Sequence, residues 1–208
     1  MIFDFTDNYQ FSTRLLLNGE NIEILNSTKL LGTIISEDLK WDLNTENIVK
    51  KANSRMELLR KVASFSPSQE DDLKDVYFLF IRSLLEQSAT VWHSSLTKEN
   101  SDDLERVQKC AVRIILGQEY NGYEKALIRL DMESLKNRRE TLCLNFALKC
   151  LKNKQTKNIF PENIKSHQMK TRTSERFMVQ HANTERLQNS SVIYMQKLLN
   201  QNEQNSQV

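Results

Sequence analysis

The chain has 208 residues, 39% of them hydrophobic and 27% charged, with only four Gly, two Pro and a net charge of +2. This length can bury a real core, and so few turn formers exclude an all-β fold and favour long helices. No apolar run approaches the roughly 20 residues of a membrane span, and the first ten residues lack the basic and apolar regions of a secretory signal.

The first forty residues read as strands. Leu15-Leu16-Leu17 leads into Asn18-Gly19, the strongest short hairpin turn signal. Residues 30–35 form a second apolar run around Gly32, and a Gly within a strand marks a bulge or a close backbone approach. From Leu43 the period becomes helical. Ile48, Ala52, Met56, Leu59 and Val62 share one face, with Lys50, Lys51, Arg55, Arg60 and Lys61 at other positions. Residues 66–69, Ser-Pro-Ser-Gln, have capping-box spacing for a second helix with the stripe Leu73, Val76, Tyr77, Phe80, Ile81, Leu84 and Leu85, running on toward Trp92.

A third helix is predicted to begin near Ser101. Leu104, Val107, Ala111, Ile114 and Ile115 face inward, and Gly117 stops it. A short helix follows near residues 123–130. Another spans about 132–152, striped by Leu135, Leu142, Phe146 and Cys150. Residues 153–183 are polar, Lys-rich and poor in apolar anchors, which reads as loop. Residues 185–200 form a last amphipathic helix through Leu187, Ile193, Leu198 and Leu199. The expected fold is mainly α: a short N-terminal β-hairpin followed by a five- to six-helix bundle. The expected units are 1–42, 43–152 and 153–208.

Charge is unevenly distributed. Residues 48–66 carry five basic and one acidic side chain, and residues 106–176 carry sixteen and seven. Basic segments of this size beside acidic ones suit a polyanion-facing surface. The candidate contacts are Lys50, Lys51 and Arg55 on the first helix, Arg106, Lys109 and Arg113 on the third, and Arg138 and Arg139 on the fifth. Trp41 and Trp92 close apolar stripes and read as core anchors. Cys110, Cys143 and Cys150 have no CxxC spacing. Their odd number, with no signal peptide, fits a reducing, intracellular compartment, nucleus or cytoplasm. His93, His167 and His181 have no metal-ligand spacing, and no P-loop, dinucleotide-binding glycine motif or nucleophile elbow is present.

One ordered series spans most of the chain: LLGTIISEDLKW (residues 30–41), Leu59-Arg60, Tyr77, LLEQSATVW (residues 84–92), LERVQKCAVRIILG (residues 104–117), Tyr123, Leu135 and Arg138-Arg139. In order and spacing it resembles the C-terminal part of reverse transcriptases from non-LTR, LINE-like retrotransposons of the jockey and CR1 groups. It departs from them at Asn44, where His is frequent, and at Gln87, where Tyr is frequent. The resemblance implies that Leu31-Gly32 belongs to the primer grip joining palm to thumb. The following helices would be thumb and post-thumb, Gly32 would join the nucleic-acid contacts, and the partner would be an RNA/DNA primer–template hybrid. It also implies that the metal-holding aspartates, and Mg²⁺ with them, belong to a palm upstream of Met1. The chain is then expected to be a non-catalytic fragment with no cofactor of its own.

Asp71-Asp72 and Asp102-Asp103 do not replace that palm. Each is predicted in the first turn of a helix, where acids stabilise the helix dipole. Two alternatives accompany this reading. One is a structural remnant that associates through an exposed palm-facing surface. The other is a label: residues 27–62 also resemble a small domain named for an AlkB-family alkylation-repair and tRNA-methylating protein, which would imply dioxygenase or methyltransferase activity. The HxD…H iron set and the methyl-donor glycine loop such activities need are missing.

Overall fold

The computed structural model describes residues 16–21, 25–65, 70–162 and 176–205. The fold is mainly helical with small hairpins near the N-terminus. Among the described residues no helix is long and apolar enough to cross a membrane. The capping signal at residues 66–69 lies outside the described residues.

Strands β1 (Leu16–Leu17) and β2 (Glu20–Asn21) pair across Asn18-Gly19. Both turn residues have positive φ, 52° and 86°, as a two-residue hairpin loop requires. The expected single strand around Gly32 is instead a second hairpin. Strands β3 (Ser27–Leu30) and β4 (Thr33–Ser36) pair antiparallel, with Leu30 opposite Thr33 and Leu31-Gly32 as the turn. The apolar run concealed this turn because Leu is a poor residue for positive φ. Asn44 then fixes the hairpin to the helix that follows: its Oδ1 accepts the Ile34 amide at 3.0 Å.

Helix α1 (Asp42–Phe65) buries Ile48, Ala52, Met56 and Leu59, the face that the periodicity predicts. A helical rod returns along it. It consists of α2 (Glu70–Val76), a π-helical stretch (Tyr77–Arg82) and α3 (Ser83–Leu85). Leu73, Tyr77, Ile81 and Leu85 form its buried line, whereas Phe80 is on the surface. After a left-handed Ser88 come α4 (Ala89–Trp92) and a 3-10 turn, His93–Ser95. Helix α5 (Lys98–Leu116) starts earlier than expected, because the Thr97 side chain accepts the Asn100 amide at 3.1 Å. Asp102-Asp103 is therefore a turn further in than predicted, and Asp103 pairs with Arg106 at 2.6 Å. Glu70, Asp71 and Asp72 do occupy the first turn of α2.

Helix α6 (Tyr123–Arg129) leads to α7 (Leu135–Lys152), capped by Ser134. The buried line of α7 is Leu135, Arg139, Cys143, Ala147 and Cys150. Phe146 is exposed, contrary to the predicted stripe. The final amphipathic segment divides into α8 (Glu185–Gln188), capped by Thr184, and α9 (Ser191–Asn205). Ile193 and Leu199 are buried there, but Leu187 is exposed.

The main core joins α1, the rod, α4, α5, α6 and the start of α7 around Trp41, Met56, Tyr77, Trp92 and Leu104. A second cluster joins the far half of α7 to α9 through Cys143, Ala147, Cys150, Met195 and Leu199. Phe160 and Phe177 complete it, so the polar stretch does contain apolar anchors. Asn200 holds Phe177 from both sides, accepting its amide at 2.9 Å and donating to its carbonyl at 3.1 Å. Burial pushes the Cys143 thiol up to about 11, so it is an unreactive core thiol.

Candidate nucleic-acid interface

The cations that the sequence nominates do not form one surface. Helices α1 and α5 pack against each other through their buried faces. Lys50 is exposed and lies about half a turn from the Ile48–Ala52–Met56 line. Arg106, Lys109 and Arg113 are exposed on the side of α5 opposite Leu104, Val107 and Ala111. The outward sides of two helices packed face to face point away from each other, so these are separate surfaces.

The α5 group is the more organised. Spacings of three and four place its cations on one stripe, spanning about 10 Å at 1.5 Å per residue. Lys109 Nζ lies 5.2 Å from the centre of the Tyr123 ring, and the Arg113 guanidinium 5.2 Å from that of Tyr120. An aromatic face attracts a cation without neutralising it, so these two charges are positioned and remain available. Arg106 is paired with Asp103 on the surface; such a pair is worth no more than about 1 kcal/mol and yields readily to a phosphate. The sequence reading missed Tyr120. It follows the helix stop at Gly117, and only the folded-back 117–120 turn brings it under Arg113.

On the α1 side, Arg55 Nη1 donates to the Phe80 carbonyl at 2.6 Å, and Lys51 is one turn back on the same flank. The β3–β4 turn is held by Gln87, whose Nε2 donates to the Leu31 carbonyl at 3.4 Å. Gly32 has φ 91°, and a Cβ there would clash with Gln87 Nε2. Leu31 is 89% exposed with φ 48°, a conformation that costs a non-glycine residue roughly 1–2 kcal/mol. Leu31→Asn should therefore raise stability by about 0.5–1 kcal/mol, since Asn tolerates this region; a urea midpoint that does not rise would contradict the strain.

Two nominated arginines are already engaged within the fold, Arg138 partly exposed and Arg139 buried. Arg138 is gripped by Glu86 through Nε at 3.0 Å and Nη2 at 3.1 Å, and Glu86 also faces Arg82 Nε at 3.6 Å. Its hydrogen bonds to Glu86 hold its pKa above the usual arginine value. Pulling Arg138 onto a phosphate would leave the half-buried Glu86 without its main partner. Arg139 is 0% exposed. Its Nε donates to His93 Nδ1 and its Nη2 to Ser101 Oγ, both at 3.2 Å, and its guanidinium lies 5.9 Å from the Trp92 ring centre. No nucleic acid reaches it.

The same cluster sets a pH limit. Burial, with Arg139 and Lys136 nearby, pushes the His93 pKa down to about 4. An unfolded imidazole takes its proton near pH 6.5, so folding becomes less favourable as pH falls from about 6.5 toward 4. His93→Gln should flatten that part of the stability curve relative to the parent chain. Equal slopes from pH 7 to 4 would rule out His93 as the cause.

A buried network explains the other polar members of the LERVQ series. Tyr77 Oη donates to Gln108 Oε1 at 2.6 Å. Gln108 Nε2 donates to Tyr123 Oη at 2.8 Å and to the Glu133 carbonyl at 2.9 Å. Tyr123 donates to Glu105, whose Oε1 also accepts the Leu135 amide at 3.2 Å. Burial raises both tyrosine pKa values, and the Glu105 contact adds to the effect at Tyr123. These groups lock the rod, α5, α6 and α7 together.

Asp71 and Asp72 open α2, and Asp103 is engaged by Arg106; among the described residues no three acids, histidines or cysteines gather to hold a metal. A groove of about 520 Å³ between residues 35–42, 91–97 and 185–191 mixes Asp38, Asp42 and Glu185 with Lys40 and Arg186 over Trp41 and Val91. That mixture of charges does not suit a polyanion. No family model, curated protein or solved structure matches the chain.

Proposed function

We propose that this chain is a non-catalytic, thumb-like element of reverse-transcriptase descent that binds nucleic acid along the outward stripe of α5. The observation that carries the binding is the stripe Arg106, Lys109 and Arg113, with two of its cations set over tyrosine rings. Such a stripe suits the sugar–phosphate edge of an RNA–DNA hybrid, where shape and phosphates are recognised and sequence is not. The descent rests on the ordered sequence series alone. In this reading Gly32 and Leu31 form the tip of the grip hairpin, and Mg²⁺ chemistry belongs to a palm, not to these helices.

The test is fluorescence anisotropy with a labelled RNA–DNA hybrid. The triple variant R106Q/K109Q/R113Q should bind more than about tenfold more weakly, because three phosphate contacts are lost. Lys50→Gln, on the other side of the fold, should leave the affinity unchanged. Equal binding by the parent and the triple variant would overturn the proposal.

A further inference from the structure

Helix α7 ends in a cluster of lysines. Lys149, Lys152, Lys154 and Lys157 are all exposed, and no acidic residue occurs from Thr141 to Pro161. The fold keeps the four close together. Thr156 Oγ1 donates to the Cys150 carbonyl at 3.0 Å, and the Lys157 amide to the Asn153 carbonyl at 2.9 Å, so the chain turns at once against the helix end. Phe160, buried in one cluster with Cys143, Ala147 and Cys150, anchors that turn. Four helical residues and one hydrogen-bonded turn separate Lys149 from Lys157, a span of about 12 Å at most. Among the described residues none of the four lysines forms an ion pair. The nearby acids are engaged elsewhere: Glu162 and Glu203 both pair with Arg176, at 3.0 and 2.5 Å. The helix dipole accounts for cations in the last turn, Lys149 and Lys152. It does not account for Lys154 and Lys157, which lie beyond the helix. Phe146 stands one turn before Lys149 on the same flank, with 45% of its surface open.

From this we infer that the lysine end of α7 is a contact for single-stranded nucleic acid, separate from the α5 stripe. Clustered ammonium groups with no acid among them attract a polyanion. The open ring beside them selects the kind of polyanion: a single strand has unpaired bases that stack on an aromatic face, and a duplex does not. The two basic surfaces lie in opposite directions. Glu105 accepts the Leu135 amide and Ser101 the Arg139 side chain, so α7 runs toward the start of α5, while Lys109 and Arg113 lie toward its end. Lys149 is about 20 Å along α7 from Leu135. Either surface can therefore fail while the other stands.

The experiment is fluorescence anisotropy on the full chain with a labelled single-stranded oligothymidylate. K149Q/K152Q/K154Q/K157Q should bind it more than about tenfold more weakly, with a salt slope shallower by about 2–3. Phe146→Ala should weaken it about fivefold or more, and Phe146→Trp should keep the parent affinity, because the stacking face is retained. Circular dichroism checks that each variant keeps its helices. The α5 variant R106Q/K109Q/R113Q should hold the single strand as the parent does, and the lysine variant should hold the blunt RNA–DNA hybrid as the parent does. Equal single-strand affinity of the parent and the lysine variant overturns the inference. So does a single-strand affinity lost only with the α5 variant, or unmoved by Phe146→Ala. Capture by the lysines of phosphatidylserine vesicles in place of the oligonucleotide overturns it as well, and assigns the cluster to an anionic lipid surface.

Discussion

Arg139→Ala lowers the unfolding free energy by about 3–5 kcal/mol, the usual penalty for breaking a buried polar arrangement and leaving a cavity. In a chain of this size that is a fall in Tm of roughly 10 °C. The guanidinium fills the space between Trp92, His93 and Ser101. Its removal leaves the His93 ring nitrogen and the Ser101 hydroxyl with no donor. Burial also holds the Arg139 pKa below the ordinary value, so the charge itself is a burden. Arg139→Met keeps most of the volume without that charge and should lose less than about half as much. Chemical denaturation of the two variants decides the matter. Equal losses would mean that the charge, and not the filled volume, holds this site together. A folded Arg139→Ala with normal stability but lost hybrid binding would return this residue to the interface.

Gln108→Leu lowers stability by about 2–4 kcal/mol, since it leaves Tyr77 Oη without its acceptor and Tyr123 Oη and the Glu133 carbonyl without a donor. Tyr77→Phe alone should cost about 1–2 kcal/mol. The double variant should lose clearly less than the two single losses together, because removing both partners leaves fewer orphaned groups. Strictly additive losses in urea denaturation would show that the network does not act as a unit.

These two sites show where the sequence was legible. The inward line of α1 could be read from Ile48, Ala52, Met56 and Leu59 because apolar periodicity is local. The Asn18-Gly19 turn could be read because both residues favour the conformation found there. Arg139 could not. Its spacing from Leu135 and Cys143 places it on the buried face, but an arginine reads as a surface residue, and only the tertiary fold supplies His93 and Ser101. Phe160 and Phe177 were hidden for a similar reason: each is isolated in a polar segment, and the contacts that bury them come from α7 and α9. Of the candidate interface, the cations of α5 were visible as a charged stripe. The grip of Glu86 on Arg138, and the tyrosines beneath Lys109 and Arg113, depend on contacts between elements.

The most direct measurement of the central claim is the salt dependence of hybrid binding by the parent chain and by R106Q/K109Q/R113Q. A phosphate-tracking stripe gives a falling line of log affinity against log salt, and the triple variant should be shallower by about 2–3 in slope. Parallel lines, or an affinity indifferent to salt, would contradict an interface built on α5.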